Sequence, residues 1–163
     1  MSKRTRSEEL KALNSVVAAA VKNFKPPEDL TVTEWAEKYR RLSSENSAEA
    51  GPWRTSRTPY LREIMDAFTD PKIRRLVVVA SSQVGKSEME LNMLGYLIDI
   101  DPGPVLFILP TVDVAQDFSK RRISAMIRDC KRLREKVADA KSRDGNNTVL
   151  KKQFPGGMLT ITG

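Results

Sequence analysis

Eight consecutive residues have the types and spacing to hold a nucleotide phosphate: Ala80, Ser81, Ser82, Gln83, Val84, Gly85, Lys86 and Ser87. Backbone N–H groups can wrap an anion where Gly85 lets the chain turn tightly and approach closely. Lys86 would place a positive charge on the outer phosphates, and the Ser87 hydroxyl would ligate Mg²⁺. A helix that begins here directs its positive N-terminal end at the same anion.

The residues on either side of this loop support the same interpretation. Leu76–Ala80 is a continuously apolar, mostly β-branched run, which predicts a strand buried on both faces. An amphipathic helix is predicted from Lys86 to Ile100. A P-loop follows a strand and opens a helix, and both conditions are met. Ala80 stands where the P-loop pattern has glycine, which a negative φ would allow. The alternative is a chance Gly-Lys-Ser in a helix cap.

Aromatic and basic residues upstream of the loop are candidates for the base side of a nucleotide. Trp53, Arg54, Arg57 and Tyr60 are close enough in sequence, and we assign Tyr60 to the site. Alternatively, Tyr60 packs in the core with Ile64.

Carboxylates suited to hydrolysis are scarce. Hydrolysis needs one acid for the Mg²⁺ shell at the end of a second strand and another that orients water. Asp99 and Asp101 follow the Lys86 helix without a break, so they most simply end it. Asp113 most simply caps the next helix, with Gln116 at its third position. We therefore expect the catalytic acids to lie outside this chain, which leaves Lys86 as the residue with a catalytic role.

A second signal is basic. Eight cationic residues crowd one predicted helix: Lys120, Arg121, Arg122, Arg128, Lys131, Arg132, Arg134 and Lys136. They could form a track for the phosphate backbone of DNA, with salt-sensitive and sequence-independent binding. They could equally form a solvated helix face whose stems pack along the core. No base-reading motif is present, so DNA contacts should be with the backbone.

The first part of the chain is predicted to be helical. An apolar stripe over Leu10–Phe24 predicts a helix that either covers the sheet or recruits a partner. A capping box at Thr31–Glu34 opens a helix whose apolar face includes Leu42. Residues 43–57 are predicted to be a loop, and Thr58-Pro59 caps the helix that follows.

The second part is predicted to alternate strands and helices. The apolar run Val105–Leu109 predicts a second buried strand, and the apolar spacing from Val114 to Val137 predicts one long helix. Residues 139–152 are predicted to form an exposed excursion, and Met158–Thr162 is predicted to be a third strand. This order predicts an α/β fold with a parallel sheet and flanking helices. A sheet of three strands would be incomplete.

Composition excludes several classes of protein. The 163 residues carry a net charge of +7, which suits a polyanionic partner, and 40% are hydrophobic, which is enough for the core of one domain. The single cysteine, Cys130, and the absence of histidine exclude a Ser-His-Asp triad, a Cys-based zinc site and a His-ligated metal. No apolar run is long enough to span a bilayer and the N-terminus is not a signal peptide, so we expect no membrane association and an intracellular location.

Six segments, in this order, resemble the start of the ATPase domain of phage terminase large subunits of the lambda-like (GpA-type) branch. They are Thr33–Tyr39, Gly51–Thr55, Thr58–Ile64, Ser81–Ser87, Pro110-Thr111 and Phe154–Gly157. The resemblance covers nearly all of the chain from about Leu30. It divides the chain into an N-terminal tail and amphipathic helix, residues 1–29, and the N-terminal part of the ATPase domain, residues 30–163, with the P-loop at 80–87.

The resemblance implies a P-loop NTPase fold of the RecA-like, additional-strand class, with ATP and Mg²⁺ as cofactors. It implies the ATP-binding portion of a motor that packages double-stranded DNA into procapsids in the host cytoplasm. A small terminase subunit and a portal would be its partners, and the full-length motor could be a homo-oligomer. The Walker B strand and the nuclease domain would lie beyond Gly163, which leaves open whether this chain is an enzyme. A chain that ended there would bind nucleotide with little or no hydrolysis and would not cut DNA.

One departure from the family concerns a cation. Ser82 stands where many members have an arginine that acts on the γ-phosphate, so this role would fall to another residue or to a neighbouring subunit.

Two other functions compete with the packaging motor: a fragment of a P-loop helicase or DNA-remodelling ATPase, and a non-catalytic nucleotide- or partner-binding module that docks through its Leu10–Phe24 helix.

Overall fold

The computed structural model describes residues 10, 11, 13–15, 17, 28–137 and 147–163. Leu10, Leu13 and Val17 are each more than half exposed. These three members of the predicted apolar stripe therefore do not pack in a core, and its other members lie outside the described residues.

Short helices surround two small sheets in the described chain. The α-helices are α1 (Val32–Tyr39), α2 (Arg62–Ala67), α3 (Lys86–Asp99), α4 (Val112–Phe118), α5 (Ser124–Asp129) and α6 (Lys131–Lys136), with a π-helix at Ser119–Ile123 and 3₁₀ helices at Thr55–Arg57 and Pro59–Leu61. The strands are β1 (Arg41–Leu42), β2 (Gly51–Pro52), β3 (Pro104–Ile108), β4 (Lys151–Phe154) and β5 (Gly157–Thr162). β1 and β2 pair antiparallel, and the other three form a sheet in the order β3-β5-β4.

The predicted capping box opens α1. The Thr31 hydroxyl accepts a hydrogen bond from the Glu34 N–H, and the Glu34 carboxylate accepts one from the Thr31 N–H. The helix ends at Tyr39, so the prediction that Leu42 continues its apolar face is wrong, because Leu42 lies in β1. The predicted loop at 43–57 likewise contains β2 and a 3₁₀ helix. Two-residue strands carry too little periodicity to be recognised in a sequence.

The larger sheet is mixed rather than parallel. β3 and β5 are parallel, with Val105 opposite Leu159, whereas β4 and β5 form an antiparallel hairpin. The hairpin turns at Gly156, whose φ of +85° favours glycine. The predicted excursion at 139–152 therefore extends too far, since Lys152 is a buried residue of β4 whose ammonium donates to the Thr148 carbonyl at 2.7 Å.

β3 is the predicted second strand, but it is buried on one side only. Leu159 and Ile161 of β5 are buried on one face, where Phe107 of β3 stacks on Phe118. Leu106 and Ile108, on the other face of β3, are 62% and 68% exposed. The apolar composition of this segment predicts a strand buried on both faces. In the described chain, however, no element covers one face of β3.

The segment Leu76–Ala80 is not a strand in the structure, which contradicts the prediction. None of the described strands pairs with it, and Val77 and Val79 are 74% and 93% exposed. Its β-branched residues suit a pleated, buried surface, but strand formation also requires a hydrogen-bonded neighbour, which sequence periodicity cannot supply. The chain enters the candidate phosphate loop from a segment without regular secondary structure.

The long helix predicted from Val114 to Val137 is divided. α4, the π-helix and α5 follow one another, and the chain then breaks at Cys130, which adopts an extended conformation before α6 begins. Cys130 is fully buried and its thiol donates to the Tyr39 carbonyl at 3.2 Å. The break lets α6 pack against α3, which a single straight helix would not do.

The centre of the core is the contact between α1 and α3. Trp35 is fully buried over Gly95, and its indole N–H donates to the Asp99 carboxylate at 2.9 Å. Asp99 also accepts from Arg132 at 3.0 Å and pairs with Lys136 at 2.8 Å. Burial alone would raise the pKa of Asp99, but the hydrogen bonds from Lys136, Trp35 and Arg132 outweigh it and lower that pKa.

This network predicts a pH-dependent effect of Asp99→Asn. Because the pKa of Asp99 is lower in the folded protein, ionised Asp99 stabilises the fold above the unfolded pKa of about 3.9. That contribution is lost as the pH falls through the lower, folded pKa. We expect Asp99→Asn to reduce the free energy of unfolding by about 2 kcal/mol at pH 7, since the neutral amide pairs poorly with the two cations. Urea unfolding from pH 7 to pH 3 should show the difference from wild type shrinking below pH 4. A constant difference would contradict the assignment.

Candidate functional site

The predicted phosphate loop turns sharply and opens a helix. Gly85 has φ of +84° and α3 begins at the next residue, as the sequence predicts. Gln83, with φ of 59°, is the one non-glycine residue of positive φ in the described chain, so Ala80 has the negative or extended φ that its methyl requires. The first amides of α3 have no intrahelical acceptor, which leaves them available to an anion.

Lys86 folds back over the loop. Its ammonium donates to the Ala80 carbonyl at 2.7 Å and to the Ser81 carbonyl at 2.6 Å. These contacts hold a positive charge at the N-terminal end of α3, beside the half-buried Ser87. A compact ammonium with three donors on a flexible stem can exchange two carbonyl acceptors for phosphate oxygens by rotating its own bonds.

A cleft of about 710 Å³ adjoins the loop at Gly85. Thr58 also lines it, and the Thr58 hydroxyl is buried without a hydrogen-bond partner in the described chain. A Cβ added at Gly85 would come within 3.2 Å of Leu61 and would be strained by the positive φ. The Thr58 side chain presents its methyl carbon to Gly85, 4.0 Å from such a Cβ, so a polar ligand would reach the unpartnered hydroxyl only after this side chain rotates.

Three of the four residues proposed for the base side line the cleft. Arg54 and Arg57 are exposed there, whereas Trp53 is 6% exposed and donates its indole N–H to Thr55. Tyr60 is 56% exposed, so the alternative that it packs in the core with Ile64 is wrong. Its hydroxyl donates to the Val84 carbonyl at 3.2 Å, which places Tyr60 against the loop.

A partly buried charge cluster next to the loop was not predicted from the sequence. Glu88, in the first turn of α3, pairs with Arg40 at 2.9 Å and with Arg122 at 3.1 Å. Arg40 is almost fully buried, which lowers the pKa of its guanidinium, while Glu88 acts in the opposite direction. The two cations offset a carboxylate that would otherwise repel an anion at the loop. No sequence signal marks this cluster, because its members lie 34 to 82 positions apart.

The acidic residues considered for hydrolysis have other roles. Asp99 ends α3, as expected, and lies in the network with Trp35. The prediction that Asp113 caps the next helix is wrong, because Thr111 is the N-cap of α4 and accepts from the Val114 N–H at 3.3 Å. Asp113 lies exposed in the first turn of that helix. No group of three or more acidic, cysteine or histidine side chains is placed to hold a metal ion within the described residues.

The eight basic residues proposed as a DNA track do not form one surface. Arg122 forms an ion pair with Glu88, and Arg132 and Lys136 form ion pairs with Asp99. These three residues therefore contact the protein itself, as in the alternative interpretation of a helix face packed along the core. The other five are exposed: Lys120, Arg121, Arg128, Lys131 and Arg134. DNA binding by this set stays a prediction, and only its exposed members can contribute to it. In the described part of the chain, no helix has the length and apolar character needed to cross a membrane.

Taken together, the chain is a mixed helix-and-sheet protein with a candidate phosphate-binding loop. Residues 47–163 match the family model described as phage terminase large subunit gpA, ATPase domain. That range is well over half of the chain, so the chain belongs to this family, which is consistent with an α/β ATPase domain and with nucleotide binding.

Two curated relatives agree with this assignment. The chain is 31% identical over 151 residues to the terminase large subunit of Escherichia phage lambda, covering 93% of this chain and 23% of the relative. It is 29% identical over 154 residues to the terminase large subunit of Enterobacteria phage P21, covering 93% and 24% respectively. The chain thus spans about a quarter of the length of these relatives. No solved structure matches it significantly.

Proposed function

We propose that this chain is the ATP-binding portion of a large terminase subunit, the motor that packages double-stranded phage DNA into procapsids. The observation that carries the proposal is the turn at Gly85 into α3, with the Lys86 ammonium held at the loop beside an open cleft. The family match favours this function over a helicase fragment. In this proposal the fold is of the P-loop NTPase, RecA-like type, and the protein acts in the host cytoplasm.

Each part of the loop has one task. The amides that follow Ser81 surround the phosphate oxygens, and Lys86 releases the loop carbonyls to bind the outer phosphates. The Ser87 hydroxyl would hold Mg²⁺, which neutralises phosphate charge when bound. Rotation of the Thr58 side chain would turn its unpartnered hydroxyl, which is buried without nucleotide, toward a ligand oxygen in the cleft. Tyr60 braces the loop through Val84 and presents its ring to the base.

Arg54 or Arg57 can supply the cation that Ser82 does not. Both line the cleft with Gly85, and Arg57 pairs with Glu49 at 2.9 Å. Both members of that pair are more than 60% exposed, so the pair is weak and an anion can compete for the guanidinium. Double-stranded DNA, a small terminase subunit and a portal are the partners of the proposed motor.

Thr58→Val tests the proposal because it should change stability and binding in opposite directions. The apo protein should be as stable as wild type or slightly more stable, since an unpaired buried hydroxyl is removed at constant shape. ATP affinity, measured by calorimetric titration with Mg²⁺, should fall by about tenfold, which corresponds to one hydrogen bond to a charged ligand. AMP should bind far more weakly than ATP to both proteins.

Thr69→Val is the matched control. The Thr69 hydroxyl donates to the Asp66 carbonyl at the end of α2, away from the cleft lining. This variant should lose a little stability and keep its ATP affinity. Equal ATP affinity of Thr58→Val and wild type would remove Thr58 from the site, and a wild-type protein that binds no ATP would contradict the proposed function.

A further inference from the structure

A groove of about 440 Å³ separate from the candidate phosphate loop brings three guanidinium groups together. We call it the arginine groove, and the polar residues and the glycine that line it are Arg41, Ser43, Ser44, Gly51, Arg128, Asp129 and Arg134. Arg41 comes from β1, Arg128 from α5 and Arg134 from α6. The break at Cys130 turns α6 back so that the Arg134 guanidinium donates to the Arg128 carbonyl at 3.1 Å.

The charges of this groove are not balanced. Three guanidiniums line it against one carboxylate, Asp129. Arg128 is engaged by Asp129 at 2.8 Å and by Glu45 at 3.1 Å. Arg41 and Arg134 are exposed and form no ion pair with any described residue. Like charges that converge without carboxylate partners repel one another, and an anion in the groove would relieve this repulsion.

We infer that the arginine groove binds the phosphodiester backbone of DNA. A guanidinium matches a phosphate with two parallel N–H donors, and the groove lining contains no aromatic side chain on which a base could stack. Exposed ion pairs contribute only about 0–1 kcal/mol each, too little to hold one small anion tightly. A polyanion gains more, because several phosphates bind at once and each releases condensed counterions.

The groove adjoins the nucleotide cleft without sharing its charged residues. Leu42 and Ala50 line both, so the β1–β2 pair separates them. The inference rests on the proposed motor function, for which it locates a contact with DNA. Its test measures DNA binding alone, so the groove and the nucleotide site can fail separately.

The test compares two double variants of the full chain with equal loss of charge. Arg41→Gln with Arg134→Gln removes the two unpaired groove cations. Arg62→Gln with Lys151→Gln is the control, because both residues are exposed, lie outside the groove lining and do not belong to the eight basic residues proposed as a DNA track. Fluorescence anisotropy with a labelled 30-base-pair duplex measures affinity from 50 to 200 mM salt.

The groove variant should bind the duplex about tenfold more weakly at 100 mM salt, and the slope of log affinity against log salt should fall by nearly 2, or about 0.9 for each lost phosphate contact. The control should change affinity less than about threefold, and ATP binding should stay intact in both. Arg41→Lys with Arg134→Lys should recover most of the slope, since charge is kept. Equal losses in the groove and control variants, or no loss, would overturn the inference. The inference would also be overturned if the loss of these arginines weakened the binding of inorganic phosphate but left the binding of the duplex unchanged.

Discussion

Lys86→Ala should abolish measurable ATP binding while leaving the protein folded. Removing one partner of a close charge pair costs about 2–5 kcal/mol, so the affinity for Mg-ATP should fall at least ~30-fold. The loss for the fold should be under about 1 kcal/mol, because the ammonium is held by hydrogen bonds to two carbonyls at an exposed loop. Titration with a fluorescent ATP analogue measures the first effect, and thermal unfolding without nucleotide measures the second.

Lys120→Ala is the control for this experiment. Lys120 is an exposed lysine of the π-helix and lies outside the cleft lining, so its loss changes net charge equally but should leave ATP affinity within about twofold. Undiminished binding by Lys86→Ala would favour the alternative of a non-catalytic partner-binding module in which the loop has no task.

Gly95→Ala should destabilise the fold strongly. A Cβ at Gly95 would lie 2.2 Å from Cη2 and 2.7 Å from Cζ3 of Trp35. The indole cannot easily retreat, because it is fully buried and its N–H is held by Asp99. We expect a loss of about 3 kcal/mol, at the upper end for overpacked cores, which exceeds the gain of up to about 1 kcal/mol from placing alanine in a helix. Urea unfolding at pH 7 measures the change.

Two further variants show whether the steric contact is the cause. Gly103→Ala should be nearly neutral, since a Cβ there meets nothing within 4 Å. Adding Trp35→Phe, which shortens the ring, should make the Gly95→Ala double variant more stable than the sum of the two single changes predicts. Strict additivity would show that Trp35 and Gly95 do not interact as the structure has them.

Local features of the fold could be predicted from the sequence because their causes are local. The capping box needs only Thr31 and Glu34, and the start of α3 needs only the glycine and lysine of the loop. The strand at Gly157–Thr162 follows from a short apolar run after a Gly-Gly turn. Each of these depends on residues within about one helical turn or one hairpin.

The features that could not be predicted depend on residues distant in sequence. Leu76–Ala80 has strand composition, but whether it pairs is decided by neighbours that its own residues do not specify. The break at Cys130 follows from burial of its thiol against Tyr39, 91 positions away. In the candidate site, the motif alone predicts the loop. The Arg40–Glu88–Arg122 cluster and the unpartnered Thr58 hydroxyl could be recognised only in the folded structure.

A crystal structure with a non-hydrolysable ATP analogue and Mg²⁺ would show whether the loop around Gly85 holds a nucleoside triphosphate. Such a structure should show the β- and γ-phosphates at the amides of the first turn of α3, with the Lys86 ammonium moved from the Ala80 and Ser81 carbonyls to phosphate oxygens. A nucleotide bound elsewhere on the protein, with Lys86 still on those two carbonyls, would contradict this role for the loop.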